Sequence, residues 1–257
     1  MSKYGRKVAL AVATFLLFLA VWQGYVSLFN VPAHTLPGPG VFAQQFINYM
    51  TAGDMHTHIG TTLYEIFIGF LVGCVLGLIM GYILAKSPLL ERLFTPYVVL
   101  AQTAPKISIA PLFLLWFGLG ASSKIALVIL VVFFPIMVNT VIGIRSVEKN
   151  MRDLLRILKA NPWQRFISVE APFSLPSIMS GVKVSTTYAI TGAVIGEMIG
   201  AKAGLGYLVI LGSETYNIGL ILTAVLLLSV TGLILYLLTD FLEKKLLHWH
   251  ESQEIVL

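Results

Sequence analysis

The chain has 257 residues, of which 57% are hydrophobic and only 11% are charged, with a mean hydropathy of +0.87. A soluble domain carries about 25% charged residues, so this composition excludes a soluble globular protein and indicates a chain solvated mainly by lipid. The net charge of +5 is the bias expected of loops on the inner side of a membrane and does not indicate a nucleic-acid partner. The single cysteine, Cys74, excludes an intrachain disulfide.

Six apolar segments approach the roughly 20 residues that a helix needs to cross the hydrocarbon core. They predict an all-α integral membrane protein with one transmembrane domain, and their ranges are 8–28, 66–85, 93–118, 125–144, 184–201 and 218–239. The first segment follows three basic residues, as the apolar core of a signal peptide would. Its 21 uncharged residues are too many for a typical signal peptide, so we interpret it as a retained helix.

The distribution of Lys and Arg predicts that both termini lie in the cytoplasm. With the N-terminus inside, the inner side receives fourteen of the seventeen basic residues, and the exceptions are Lys106, Lys124 and Lys202. The opposite orientation would violate the positive-inside rule.

The second and fifth spans carry glycine at every fourth position. One series is Gly69, Gly73, Gly77 and Gly81, and the other is Gly192, Gly196, Gly200 and Gly204. A four-residue step stays on nearly one face of a helix, so a second backbone can approach closely. Tight packing within the subunit is the favoured interpretation, and a sliding or dimer surface is the alternative.

Prolines interrupt the third span at positions 96, 105 and 111, and polar residues surround the middle proline: Gln102, Thr103 and Lys106. Backbone groups freed at membrane depth must be satisfied by neighbouring protein or by a water-filled cavity. The three polar residues are therefore candidates for a translocation pathway. The alternative is that Lys106 lies near the outer interface and extends its ammonium group to water.

Glu197 is an ionisable residue inside the fifth span, where a charge is costly unless it faces a cavity or has a partner. One hypothesis places Glu197 in the translocation pathway, together with Thr187 and Tyr188. The other is a structural carboxylate, bonded to backbone or to hydroxyl donors such as Thr187 or Thr191. Glu65, at the start of the second span, is expected to be an interfacial anchor.

The polar segment 145–183 separates the fourth and fifth spans and holds ten charged residues, seven of them basic. Helical periodicity begins at Asn150 or Met151, and the Asn161-Pro162 pair ends it. A second short helix is expected over 163–169, before Pro172 and Pro176 lead into the fifth span. This pattern predicts a compact element that protrudes into the cytoplasm, and an amphipathic helix lying on anionic lipid is the alternative.

Several motifs follow one another along the chain: Leu36-Pro37-Gly38-Pro39, the runs 105–113 (PKISIAPLF) and 115–120 (LWFGLG), Ser174-Leu175-Pro176-x-Ile178 with Gly181, Gly196-Glu197-Met198, Gly204-Leu205-Gly206-Tyr207, and Trp249-His250. In this order they resemble the permease subunits of binding-protein-dependent ABC importers, in the branch that handles nitrate, sulfonates, taurine and pyrimidine precursors. The resemblance covers nearly the whole chain. Within it, the stretch 184–197 is more similar to members that handle thiamine-type pyrimidine precursors or riboflavin than to sulfonate permeases.

The family's signature is a cytoplasmic loop of pattern EAA, three residues, Gly, nine residues and Ile-x-Leu-Pro. The aligned positions here are Asp153-Leu154-Leu155, Lys159, Val169, Ala171 and Pro172. Only the final proline is identical, Asp153 is a conservative change, and Lys159 stands at the Gly position. The loop is therefore expected to turn differently at Lys159, with the Asn161-Pro162 break compensating.

The resemblance implies a type I ABC importer permease fold of six helices, in which 145–183 is a coupling-helix loop between helices four and five. It implies a bacterial inner-membrane half-transporter that forms a homodimer and works with two ABC ATPase subunits and an extracytoplasmic solute-binding protein. The chain has no G-x-x-x-x-G-K-[ST] loop. ATP and Mg²⁺ are therefore expected on the ATPase, with no cofactor, metal site or catalytic residue in this chain. The residues expected to contact the ATPase centre on the turn 158–166: Asp153, Arg156, Leu158, Lys159, Asn161, Pro162, Trp163, Phe166 and Pro172.

Two other classes of protein remain as alternatives. A proton-coupled secondary transporter would use Glu197 as its proton carrier, but such proteins often contain two related halves, and the paired glycine series are the only repeat. A membrane enzyme is less favoured because all five histidines lie outside the predicted spans. His56 and His58 could face one way on a short extended segment, but two ligands without a third make a poor metal site.

Overall fold

The structure is a computed structural model that describes residues 3–248. Its helices are α1 (Lys3–Leu28), α2 (Pro39–Ala52), α3 (Met55–Lys86), α4 (Pro88–Thr103), α5 (Lys106–Phe117), α6 (Ala121–Arg145), α7 (Lys149–Ile157), α8 (Pro162–Arg165), α9 (Ala171–Gly200), α10 (Leu205–Glu214) and α11 (Ile218–Leu246), with a π-helical turn at Phe166–Glu170. No strand occurs within the described range. The predicted all-α class is confirmed, and the sequence pattern missed α2 and α10.

Five helices are individually long and apolar enough to cross a membrane, and the α4–α5 pair makes a sixth span if it is counted as one. The two helices of this pair are bent by 98°. The break falls at Ala104 and Pro105, where the proline has no N–H with which to continue the helix of α4. The expected third span is therefore two helices that meet nearly at a right angle. With 12 residues, α5 is about 18 Å long and too short to cross the bilayer alone.

The second span begins eleven residues earlier than predicted, because α3 starts at Met55. Two expectations fail for this reason. His58 lies in a helix and not on an extended segment, and Glu65 is an interior residue of α3 that is 2% exposed. Glu65 is therefore not an interfacial anchor.

The fifth span also begins earlier than predicted, because Pro172 and Pro176 do not interrupt it. Pro172 lies in the first turn of α9, directly after the π-helical turn Phe166–Glu170, and Pro176 lies within α9. The helical path is continuous from Pro162 to Gly200. Residues 171–183 of the polar segment therefore belong to α9, and the element between the spans is shorter than expected.

The core lies where α3, α6 and α9 pack together. Its central cluster joins Ile66 of α3, four residues of α6, and Ala189 and Ala193 of α9. Every glycine of the α3 series is buried against α6: Gly69, Gly73, Gly77 and Gly81. In α9, Gly192 and Gly196 also meet α6, whereas Gly200 meets Leu114 of α5 and Leu119. Side chains are absent along these faces, so the backbones come close enough for van der Waals contact between whole helices.

Candidate functional site

Three of the predicted pathway residues meet at one small pocket beside the break in the third span. Gln102 of α4, Lys106 of α5 and Tyr188 of α9 line this pocket of about 110 Å³, together with residues of α6. Lys106 Nζ lies 5.9 Å from the centre of the Tyr188 ring and donates to the Gln102 carbonyl oxygen at 2.9 Å. The helix break therefore places a cation, an amide and an aromatic face on one surface.

The other two hydroxyl residues predicted for the pathway lie apart from this pocket's lining. Thr103 and Thr187 are both exposed, and the Thr103 hydroxyl donates to the Val99 carbonyl oxygen of its own helix at 3.0 Å. A hydroxyl bonded to its own helix remains able to accept a hydrogen bond from outside. Their role in the pathway stays a prediction.

Glu197 does not face this pocket, because it is enclosed at the other end of α9 with 1% of its surface exposed. One carboxylate oxygen accepts from the Thr62 hydroxyl at 2.6 Å, and the other accepts from the Gly206 N–H at 2.6 Å. These donors come from α3 and α10. The donors suggested by the sequence, Thr187 and Thr191, are instead exposed on α9.

The sequence missed the residues that surround Glu197. Lys124 was noted only as one of three basic residues that do not fall on the inner side, but it is 1% exposed and among the largest fully buried side chains. Glu65 and Thr62 face the same site from α3. One signal was available, since the second and fifth spans each carry an acidic residue beside the glycine series that packs them on α6.

The element between α6 and α9 consists of α7, a tight turn, α8 and the π-helical turn that leads into α9. The turn is stabilised at Asn161, whose side chain accepts from the Gln164 N–H at 2.8 Å while the Gln164 side chain accepts from the Asn161 N–H at 2.9 Å. This reciprocal cap satisfies two N–H groups that the helix start leaves free. Lys159 has a φ of +53°, which is the left-handed conformation that glycine adopts without strain. The expectation that the loop turns differently from the family's at this position stays a prediction.

Large apolar side chains are exposed at the tip of this element: Ile157, Leu158 and Trp163 are 78%, 66% and 68% exposed. The Trp163 ring stacks on Phe166 with centroids 6.0 Å apart. Among the other residues predicted to contact the ATPase, Arg156 pairs with Asp153 at 3.2 Å on the exposed side of α7. Pro172 lies in the first turn of α9, beyond the tip.

An ion pair attaches the π-helical turn that follows α8 to the end of a membrane helix. Lys86 at the end of α3 pairs with Glu170 of this turn, and Tyr82 contacts the same carboxylate at 3.5 Å. Arg145 at the end of α6 pairs with Glu91 of α4, so a second ion pair joins these two membrane helices. A movement of the tip would therefore be transmitted to α3 through Glu170 and to α9 through the continuous helical path.

Comparisons with known proteins agree with this architecture. Residues 73–248 match the family described as binding-protein-dependent transport system inner membrane component. The riboflavin transport system permease protein RibX of Chloroflexus aurantiacus is 37% identical over 93% of this chain and 89% of its own length. The formylaminopyrimidine transport permease protein ThiX of Halalkalibacterium halodurans is 31% identical over 93% of this chain and 95% of its own length. The taurine transport system permease protein TauC of Escherichia coli is 26% identical over 95% and 91%.

Among solved structures, an inward-facing conformation of the MetNI methionine ABC transporter superposes with a TM-score of 0.66. It covers 75% of this chain and 95% of its own at 19% identity. At that identity the match shows the fold alone, and it confirms the type I importer permease fold expected from the resemblance. The motif Trp249-His250 lies outside the described residues.

Proposed function

The chain belongs to the family of binding-protein-dependent transport system inner membrane components, and from this premise we propose how it assembles and where it contacts its ATPase and its solute. Members of the family are the transmembrane permease subunits of ABC importers, and ATP is hydrolysed by a separate subunit. The expected function as the transmembrane subunit of an ATP-driven importer is therefore confirmed. The two alternative classes, a proton-coupled secondary transporter and a membrane enzyme, are not adopted.

The ATPase contact is assigned to the tip formed by Ile157, Leu158 and Trp163. The observation that carries this proposal is a capped turn that exposes three large apolar side chains among charged neighbours. An aromatic residue at the centre of an exposed apolar patch, with a polar rim, is the usual form of a binding hot spot. A helix that merely lies on lipid needs no reciprocal cap at its end.

This contact is tested by co-purification with the cognate ATPase subunit in mild detergent. We expect Trp163→Ala to weaken ATPase binding by about 30-fold, the factor that corresponds to a hot-spot loss of about 2 kcal/mol. Leu115→Ala is the matched control, because Leu115 is an equally exposed apolar residue (80%) on the membrane helix α5. Equal ATPase binding by the two variants would exclude the tip as the docking site.

The solute pathway is assigned to the surface that holds Gln102, Lys106 and Tyr188. Because this pocket is open on the surface of one subunit, we infer that a second copy of the chain closes it and that the transporter is a homodimer with two ATPases. Both termini are placed in the cytoplasm, because the basic residues concentrate at the inner loops. Mass measurement of the detergent-solubilised complex tests the homodimer, since a complex with one copy of the chain would contradict it.

The solute is inferred to be a flat heterocycle of the pyrimidine or flavin type. RibX, whose name refers to riboflavin, is 37% identical to the chain, whereas the aliphatic sulfonates permease SsuC of Bacillus subtilis is 32% and TauC is 26% identical. The face of Tyr188 beside a cation also suits a ring with carbonyl acceptors. Uptake of labelled riboflavin or formylaminopyrimidine, measured against taurine, tests this inference, and preferential taurine uptake would refute it.

A further inference from the structure

A cluster of buried polar groups surrounds the start of α10, at the end of the bundle opposite the ATPase tip. Three consecutive backbone N–H groups there donate to side chains of other helices. Gly204 N donates to His58 Nδ1 at 3.1 Å, Leu205 N to the Thr62 hydroxyl at 2.8 Å, and Gly206 N to Glu197 at 2.6 Å. The free N–H groups of a helix start are usually capped by the residue just before it. Here α3 and α9 cap α10 instead.

Glu197 is the anionic member of this cluster. Both of its oxygens accept a short hydrogen bond, one from Thr62 and one from Gly206, and its charge lies at the positive end of the α10 dipole. The packing around the Glu197 carboxylate leaves no room for an additional side-chain atom. A Cβ atom on Gly206 would lie 2.9 Å from a Glu197 oxygen and 2.8 Å from the Val194 carbonyl oxygen, and Gly204 has a φ of +119° that other residues rarely adopt.

Lys124 supplies the opposite charge and holds the neighbouring chain ends. Its ammonium group donates to the carbonyl oxygens of Leu119 at 2.6 Å, Gly120 at 3.2 Å and Gly200 at 3.0 Å. These bonds use all three ammonium protons. They join the end of α9 to the turn before α6, so Lys124 fixes the segment from which α10 departs.

Glu65 completes the cluster with a second carboxyl group. Glu65 lies beside Glu197 and is 2% exposed, and its Oε2 has no hydrogen-bond partner among the described residues. Two adjacent buried carboxyl groups cannot both be ionised, so one of them holds a proton. Because both Glu197 oxygens already accept, the proton belongs to Glu65. One carboxylate and one ammonium group then balance, as burial requires.

We propose that Glu197 and Lys124 are positioning residues that clasp the start of α10 to α3, α6 and α9, with Glu65 as the neutral, protonated member of the cluster. They contact no solute. They act through α10, which the proposed orientation puts at the outer end of the pathway, so that α10 and the three core helices move as one unit during transport.

The test compares Glu197→Gln with Glu65→Gln in the whole transporter, reconstituted with its ATPase and binding protein. Glutamine reproduces a protonated acid but not a carboxylate, so Glu65→Gln is expected to keep wild-type thermal stability and the amount of solute moved per ATP.

Glu197→Gln leaves Lys124 without its counter-charge, so the melting temperature is expected to fall by roughly 6–20 °C. The solute moved per ATP is expected to fall on the order of tenfold, because α10 is misplaced. The double variant Lys124→Met with Glu197→Gln is expected to melt above either single variant, since it restores neutrality.

Thr62 provides a milder pair of variants in case Glu197→Gln does not fold. Thr62→Val removes the hydroxyl that joins Glu197 to Leu205 without changing the side chain's size, and Thr62→Ser retains it. We expect Thr62→Val to lower the solute moved per ATP and Thr62→Ser to restore it. Equal damage from Glu65→Gln and Glu197→Gln would overturn the proposal. So would unchanged transport per ATP in folded Thr62→Val, or a Glu197→Gln transporter that changes its choice of solute, since the last result would place Glu197 in the pathway.

Discussion

The contact between α3 and α6 depends on the absence of side chains, and Gly77→Ala tests this directly. A Cβ atom at position 77 would lie 2.8 Å from the Phe133 carbonyl oxygen and 3.0 Å from Ile136 Cβ. Both distances are shorter than the roughly 3.5–4.0 Å at which carbon atoms attract each other. The nearest atom is backbone, so it cannot move aside by rotating a side chain. Overpacking of this kind costs about 1–3 kcal/mol.

Gly60→Ala on the same helix is the matched control. A Cβ atom at position 60 has no atom within 4 Å, so this variant gains the helix propensity of alanine, about 1 kcal/mol, without the clash. The propensity gain is common to both variants and cancels when they are compared. Gly77→Ala is therefore expected to be about 1–3 kcal/mol less stable than Gly60→Ala, which corresponds to a difference of roughly 2–12 °C in melting temperature.

The measurement is thermal unfolding of the purified subunit in one detergent, with wild type and both variants in parallel. Equal melting temperatures for Gly77→Ala and Gly60→Ala would refute the inference that α3 and α6 pack through the glycine series. A Gly77→Ala subunit that keeps its stability but no longer dimerises would instead support the alternative of a dimer surface.

Two further variants probe the element between α6 and α9. Lys159→Gly is expected to stabilise the turn by about 1 kcal/mol, because glycine adopts the left-handed conformation without the strain of a side chain; a lower melting temperature would show that the lysine side chain contributes more than its backbone conformation costs. Glu170→Gln is expected to cost about 1–2 kcal/mol, between the values of exposed and buried ion pairs, because Glu170 is buried while the Lys86 side chain is 43% exposed. Unchanged stability and unchanged ATPase-driven transport in Glu170→Gln would show that this pair does not link the tip to α3.

Much of the membrane architecture can be predicted from composition, because few backbone conformations are stable in lipid. The long apolar runs of α1, α6 and α11 could be located from hydropathy alone, since a spanning helix must satisfy its backbone internally. The starts of α3 and α9 were missed because they carry polar residues, such as His58 and Lys183, and hydropathy therefore does not mark them as parts of a span. The same holds for Arg165 in the preceding α8. Tertiary contacts and ion pairs stabilise these regions, and Lys183 pairs with Asp240 of α11 at 2.9 Å.

The buried charge cluster could not be predicted in full because its members are far apart in the sequence. Glu197 was recognised as costly, but its partners Thr62 and Lys124 come from helices whose relative register no local pattern reveals. At position 159 the sequence shows which residue replaces the signature glycine but does not reveal that it adopts the left-handed conformation. At the pocket lined by Gln102, Lys106 and Tyr188, the proline at position 105 was the useful signal, because a broken helix brings polar residues on both sides of the break together.

ATP-driven uptake into proteoliposomes tests the central claim most directly, namely that this chain carries solute under the control of an ATPase seated on the tip at Trp163. The subunit is reconstituted with its ATPase and solute-loaded binding protein, and labelled solute is measured with and without ATP for the wild type, Trp163→Ala and Leu115→Ala. We predict ATP-dependent accumulation for the wild type and Leu115→Ala, and its loss in Trp163→Ala. Accumulation driven by a pH gradient without ATP, or ATP-dependent uptake that survives Trp163→Ala unchanged, would contradict the account.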